Sequence, residues 1–153
     1  MVGAGLRTSN DFLLDTGIII RYLRRETRAA NLLDHLENLG EINVSVVTYM
    51  EILTGCRPEE ENATTLLFER VSPVDISQEI AQKAALLIKK YPAAFGRDNP
   101  RGFPDALIAA TAWQDGRTLV TFNTQHFARI SMAELTIKAI DQNKRDWVAV
   151  LKM

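Results

Sequence analysis

Short apolar runs alternate along this chain with longer stretches whose apolar positions recur at helical spacing, a pattern that predicts strands alternating with helices. The run FLLD, residues 12–15, reads as a strand leading into a helix through about Arg25. In ETRAANLLDHLENLG, Ala29, Leu32, Leu33, Leu36 and Leu39 keep a helical period and Gly40 supplies the stop. EINVSV is the next strand, and VTYMEILTG the helix after it, closed by Gly55. EEENATTLLFERV reads as a helix and VSPVD as a short strand. SQEIAQKAALLIKKY is a helix capped by Ser77 and finished by Lys89 and Lys90. Two prolines and two glycines make PAAFGRDNPRGF, residues 92–103, a loop. PDALIAATAWQDG is a helix opened by Pro104, and RTLVTF and LTIKAI are the last strands. The tail from Asp141, DQNKRDWVAVLKM, suits helix or strand equally.

Strands in alternation with helices imply a parallel sheet covered on both faces, so the fold class is α/β with three layers. At 153 residues the chain is one domain. We expect a lead-in over residues 1–10, a domain over 11–140 and a tail over 141–153 packed on the domain or on a dimer interface. The composition, 46% hydrophobic and 24% charged, is that of an ordinary globular protein. Neither a membrane span nor a signal peptide is expected, which suggests the cytoplasm. One cysteine, Cys56, excludes an intrachain disulfide, and with two histidines it excludes the usual zinc sites. A net charge of −1 means that any nucleic-acid contact must come from local basic clusters.

The run FLLDTGIIIRYL sets Asp15 among apolar neighbours, and burying an unpaired carboxylate is costly. Asp15 falls at the end of the first strand, Glu51 soon after the second, and Asp105 at the start of the helix behind the loop. In an open α/β sheet the carboxyl ends of strands and the helix N-termini share one edge, where ligands gather. Each acid also has a capping alternative. Asp15 suits an N-cap, Thr48 and Glu51 match a capping box, and Asp105 suits a helix dipole. Capping does not require all three at one rim, however. Neighbouring carboxylates repel unless a cation lies between them, and Mg²⁺ or Mn²⁺ with oxygen ligands answers that need.

FLLDTGIIIRYL, NVSVVTYMEILTG, PDALIAATAWQDGRTLVTFNTQHF and the closing LTI resemble, in order and spacing, the PIN domains of VapC/FitB-type toxins. The resemblance implies a compact α/β/α fold with a Mg²⁺ or Mn²⁺ site and endoribonuclease activity. It also implies a homodimer, a cognate antitoxin in a heterotetramer or larger assembly, and operator DNA bound only through that antitoxin. The family's acids fall on Asp15, Glu51 and Asp105, its polar residue after the fourth strand on Asn123, and a common threonine on Thr121. Gly17 departs from the usual Asn or Ser, and His126 stands where many members have an aspartate.

Metal-assisted hydrolysis follows from such a site. Asp15 and Asp105 are the expected metal ligands, with Glu51 a ligand or the group that orients water, and Asn123 completes the catalytic set. Arg97, Arg101 and Thr121 are the expected substrate contacts. Arg21, Arg24, Arg25 and Arg28 form a second basic stripe if the first helix continues that far, with a solvated face as the alternative. A groove between ETRAANLLDHLENLG and EEENATTLLFER is the expected seat of an antitoxin helix. Trp113 and Trp147 are expected in the core or at a dimer surface. Two other functions fit the same residues: a non-catalytic PIN-like module that holds antitoxin and operator DNA, and a DNA-directed nuclease.

Overall fold

Five parallel strands form one sheet in the order β3-β2-β1-β4-β5 in the computed structural model, which describes residues 11–96 and 99–151. The expected lead-in, residues 1–10, and the expected substrate contact Arg97 lie outside the described residues. In chain order the strands are β1 (Phe12–Leu14), β2 (Ile42–Ser45), β3 (Ser72–Val74), β4 (Thr118–Thr121) and β5 (Ile137–Ala139). The helices are α1 (Thr16–Leu23), α2 (Thr27–Leu39), α3 (Val46–Gly55), α4 (Glu61–Arg70), α5 (Gln78–Lys90), α6 (Pro92–Phe95), α7 (Gly102–Asp115), α8 (Thr124–Phe127) and α9 (Trp147–Leu151). This is the expected three-layer α/β/α architecture with a parallel central sheet.

Successive residues of a strand face opposite sides of the sheet, and β1 shows the consequence. Leu13 packs with Leu87, Phe95, Ile108 and Leu119 beneath α5 and α7. Leu14 packs with Ile18, Leu33, Leu36 and Trp147 on the face covered by α1, α2 and α9. Burying a leucine contributes roughly 1.5–3 kcal/mol each, so two complete cores flank one short central strand. The chain runs outward from β1 through β2 to β3, then returns to place β4 on the other side of β1. The crevice at the carboxyl ends of β1 and β4 is therefore the topological switch point.

Several local expectations are revised by competing contacts. Ser45 caps α3 by accepting a hydrogen bond from Val47 N–H at 3.1 Å, so Thr48 lies inside the helix and the Thr48–Glu51 capping box does not form. Gly40 follows α2 in an extended rather than left-handed conformation, and Gly55 is the last residue of α3, with Cys56 as the cap. The expected loop contains α6, and α7 starts at Gly102 rather than Pro104. A Cβ at Gly102 would lie 2.1 Å from the Phe95 carbonyl oxygen, so only glycine lets the start of α7 press on the end of α6. Pro104 then sits in the first helical turn, where its missing N–H costs nothing. No helix among the described residues is long and apolar enough to cross a membrane.

Candidate active site

Asp15 extends the central strand by one residue: its N–H donates to the Val120 carbonyl at 3.0 Å while its side chain leaves the sheet. Oδ1 accepts from Thr16 N–H at 2.8 Å, making Asp15 the N-cap of α1, and Oδ2 accepts from the Thr121 hydroxyl at 2.6 Å. Capping and site formation are here the same act, because strand end and helix start coincide. Asp105 enters from the first turn of α7 and is 4% exposed. Its Oδ2 accepts from Asn99 Nδ2 at 3.1 Å and from Asn123 Nδ2 at 3.3 Å. Asn99 also donates to the Ala94 carbonyl at 2.8 Å and accepts from Arg101 N–H at 2.9 Å, so one buried amide ties α6, the turn and the carboxylate together.

Glu51 reaches the rim from α3. Its Oε1 accepts from the Thr16 hydroxyl at 2.8 Å, and Thr16 and Thr48 Oγ1 atoms meet at 2.9 Å. A hydroxyl has one hydrogen, so Thr48 donates to Thr16 and Thr16 to Glu51. Arg101 then grips Glu51 through both Nη atoms, at 2.5 and 3.1 Å, and places Nε 3.7 Å from Asp105 Oδ1. A cleft of about 690 Å³ opens over these groups and is lined also by Phe122, His126 and Gln142.

Burial pushes the Asp15 carboxyl above its ordinary range, the Thr121 hydrogen bond opposes this, and Asp105 adds to the rise. Burial likewise raises Asp105, against the Asn99 hydrogen bond and the charges of Arg101 and His126. Burial pushes Glu51 up as well, but the hydrogen bonds from Arg101 and Thr16 overcome it and hold Glu51 below the usual carboxylate range. Two buried carboxylates that repel each other make a hard-oxygen donor set that a divalent cation would relieve. Asp15 and Asp105 fit that role. For Glu51 the neighbouring cation is the guanidinium of Arg101, and among the described residues no three His, Cys, Asp or Glu side chains gather around one ion-sized point.

A model of the PIN domain matches residues 12–133. The chain belongs to the PIN domain family. It is 37% identical over 118 residues to Ribonuclease VapC19 of Mycobacterium tuberculosis, covering 75% of this chain and 90% of that protein. With Ribonuclease VapC10 of the same organism it shares 30% over 115 residues, covering 75% and 84%. Among solved structures, a toxin–antitoxin complex from Klebsiella pneumoniae superposes with a TM-score of 0.64 at 28% identity, covering 82% of this chain and 99% of that one. VapBC2 from Rickettsia felis, bound to a promoter DNA fragment, superposes with a TM-score of 0.72 at 21% identity, covering 86% and 99%, and shares the fold.

Within this PIN domain the structure bears on three of the expected features. Thr121 is fully buried, its hydroxyl donates to Asp15 and its oxygen accepts from Asn123 N–H at 3.0 Å, so its side chain is committed to holding Asp15. The arginine stripe does not form, because α1 ends at Leu23 and Arg25 turns the chain with φ 61°. Arg21 and Arg28 instead pair with Glu26 at 3.2 and 2.8 Å. On the α2 side of the expected groove Leu32, Leu33 and Leu36 are buried in the core, while Leu39 of α2 and Leu66 of α4 are exposed. A groove of about 350 Å³ lies beside Glu51, lined by Ile20 and Leu23 of α1, Ile52 of α3, Cys56 and Arg57 of the link that follows it, and Thr64 of α4.

Asn123 does two things at once. Its Oδ1 accepts from His126 N–H at 3.0 Å and so caps α8, while its Nδ2 holds Asp105. One side chain thus serves the turn and touches a carboxylate of the cleft. Asn123→Asp keeps the cap but sets a charge against Asp105 Oδ2 in place of a donor. The variant is expected to melt lower without metal and to bind Mn²⁺ more tightly, as thermal melts and calorimetric titration will read; unchanged affinity would leave Asn123 a turn residue. Sequence reasoning missed Thr16, Thr48 and Asn99. The DT pair and the NP pair that contain Thr16 and Asn99 are visible in the sequence, but their partners are set by tertiary packing.

Proposed function

We propose that this PIN domain is the toxin of a toxin–antitoxin pair, a cytoplasmic endoribonuclease that hydrolyses RNA phosphodiester bonds with Mg²⁺ or Mn²⁺. The observation that carries the reading is the convergence of Asp15 and Asp105 in one cleft at the switch point, each buried and each raised by its surroundings. The relatives named ribonuclease, and the toxin–antitoxin complexes that share its fold, support the same conclusion.

Asp15 and Asp105 would hold the divalent ion, which when bound lowers the pKa of water and polarises the phosphate. The chain's own groups do the rest. Thr121, Asn99 and Asn123 each donate to a carboxylate and so aim it without cancelling its charge. Glu51, held anionic by Arg101 and Thr16, accepts a hydrogen of the attacking water and orients it. Arg101 is half-exposed and presents positive charge to the incoming phosphate from the mouth of the acidic cleft. Water attack leaves a 5′-phosphate and a 3′-hydroxyl. The chain forms a homodimer in this reading, and an antitoxin helix seats in the groove of α1, α3 and α4, from which an arginine reaches the cleft; operator DNA is bound through that antitoxin.

Cleavage of RNA by the purified chain is expected to vanish in EDTA and to return with Mg²⁺ or Mn²⁺. Activity indifferent to chelation would overturn the metal-dependent mechanism. No cleavage under any ionic condition, with the antitoxin and its operator still bound, would favour the non-catalytic module instead.

A further inference from the structure

The cleft has a second wall that the hydrolytic groups do not use. Phe122 follows β4 and lines the cleft next to Asn123, and Gln142 lines it from the C-terminal tail, beyond the end of the family match at residue 133. The tail is fixed firmly. Trp147 is fully buried, meets the Phe122 ring edge-on with centroids 4.8 Å apart, and carries the Arg28 guanidinium 4.4 Å above its own ring. Arg28 Nη1 donates to the carbonyls of Gln142 and Lys144, both at 2.8 Å. The Gln142 backbone is thus pinned beside the site.

Its side chain is pinned as well. Arg21 Nη2 donates to Gln142 Oε1 at 2.8 Å. A guanidinium has no acceptor, so the amide oxygen must face it and the Nε2 hydrogens must point away. Among the described residues nothing accepts from Nε2. Beside it, a Cβ at Gly17 would lie 3.3 Å from Phe122 Cδ2, so a larger residue there would crowd the ring that glycine leaves accessible. Arg21 and Arg28 share the single carboxylate of Glu26, so one net positive charge stands behind this wall, and beside it the wall turns an aromatic ring and a neutral donor to the cleft. Such a pair matches a nucleobase better than a phosphate: single-stranded bases are held by stacking on aromatic rings and by hydrogen bonds to their edges.

We infer that Phe122 and Gln142 form a nucleobase subsite, in which a base flanking the scissile phosphate stacks on the Phe122 ring and accepts a hydrogen bond from Gln142 Nε2. The inference rests on the ribonuclease reading above and adds to it the source of sequence preference. Arg21 and Arg28 are positioning residues for the subsite, and the C-terminal tail becomes part of substrate recognition rather than a structural appendage. Every base carries a carbonyl or ring-nitrogen acceptor, so the preference goes to the base that, stacked on Phe122, brings such an acceptor within reach of Gln142 Nε2.

The test compares the parent chain with Gln142→Met and Phe122→Leu in Mn²⁺. The substrates are short single-stranded RNAs that differ in one base on either side of the cleaved bond, and bis(4-nitrophenyl) phosphate, a diester without a base. The parent is expected to prefer certain flanking bases. Gln142→Met is expected to lose about tenfold in kcat/KM on the preferred RNAs and less on the others, so that the preference flattens. Phe122→Leu is expected to raise KM on all the RNAs by roughly tenfold or more with little change in kcat. Both variants should lose far less on the base-free diester. A flat parent profile, or a preference that Gln142→Met retains, overturns the subsite alone. Parallel losses on RNA and diester also overturn it and leave Gln142 and Phe122 as a latch for the tail. A parent that hydrolyses the diester but no RNA overturns the ribonuclease reading and the subsite together.

Discussion

Asp105→Asn is expected to cost on the order of 10³-fold in RNA cleavage while melting no lower than the parent chain without metal. The geometry separates the two effects. Asp105 Oδ2 accepts from both Asn99 and Asn123, and an asparagine oxygen at the same place accepts both bonds. What disappears is the charge, which burial already penalises. The sign follows from linkage: the folded-state pKa lies above the ordinary 3.8, so the folded chain binds this proton more tightly than the unfolded one. Stability from this group is fully present below 3.8 and is lost as pH rises through the raised folded value. In neutral buffer the ionised carboxylate opposes folding, and the amide does not. The melting temperature of the variant should therefore gain on that of the parent between mildly acidic and neutral buffer. Full cleavage by Asp105→Asn would remove Asp105 from the site; a large loss of stability would make its role structural.

Trp147→Ala is expected to destabilise the fold by about 3–5 kcal/mol, a drop of roughly 10 °C in melting temperature for a chain of this size. Trp147 is fully buried, and truncation removes its contacts with Phe122, with the Arg28 guanidinium and with the apolar face that Leu14, Leu33 and Leu36 share. A cavity there also frees Phe122 beside Asn123, so cleavage should fall together with stability. Thermal denaturation checks the first effect. A loss under ~1 kcal/mol, the range of a surface substitution, would show that the tail does not belong to the core.

The alternation of short apolar runs with helical periods was enough to read an α/β sheet and every strand in it, because the inner strands β1, β2 and β4 are largely buried and the edge strands β3 and β5 each keep apolar residues beside an exposed Ser72 or Lys138. Element ends were less legible. Whether Ser45 or Thr48 caps α3 depends on which hydroxyl is free, and Thr48 is claimed by Thr16 from another helix. The start of α7 depends on Gly102 meeting a carbonyl of α6, a contact between segments that the loop brings together. The tail fitted two periods equally until Trp147 found its place against α2 and Phe122.

For the site, the sequence by itself determined which acids stand at strand ends and helix starts, and so named Asp15, Glu51 and Asp105 as neighbours at one rim. That much is local: a carboxylate after an apolar strand lies at the sheet's carboxyl edge whatever the rest of the chain does. Only the tertiary structure decided what each acid touches. It gave Glu51 an arginine, Asp15 a buried threonine and Asp105 two amides, and it brought Gln142 from the tail to the opposite wall. These partners come from different elements, and a pairing between distant segments is set by how the elements pack, for which no short stretch of sequence holds the information.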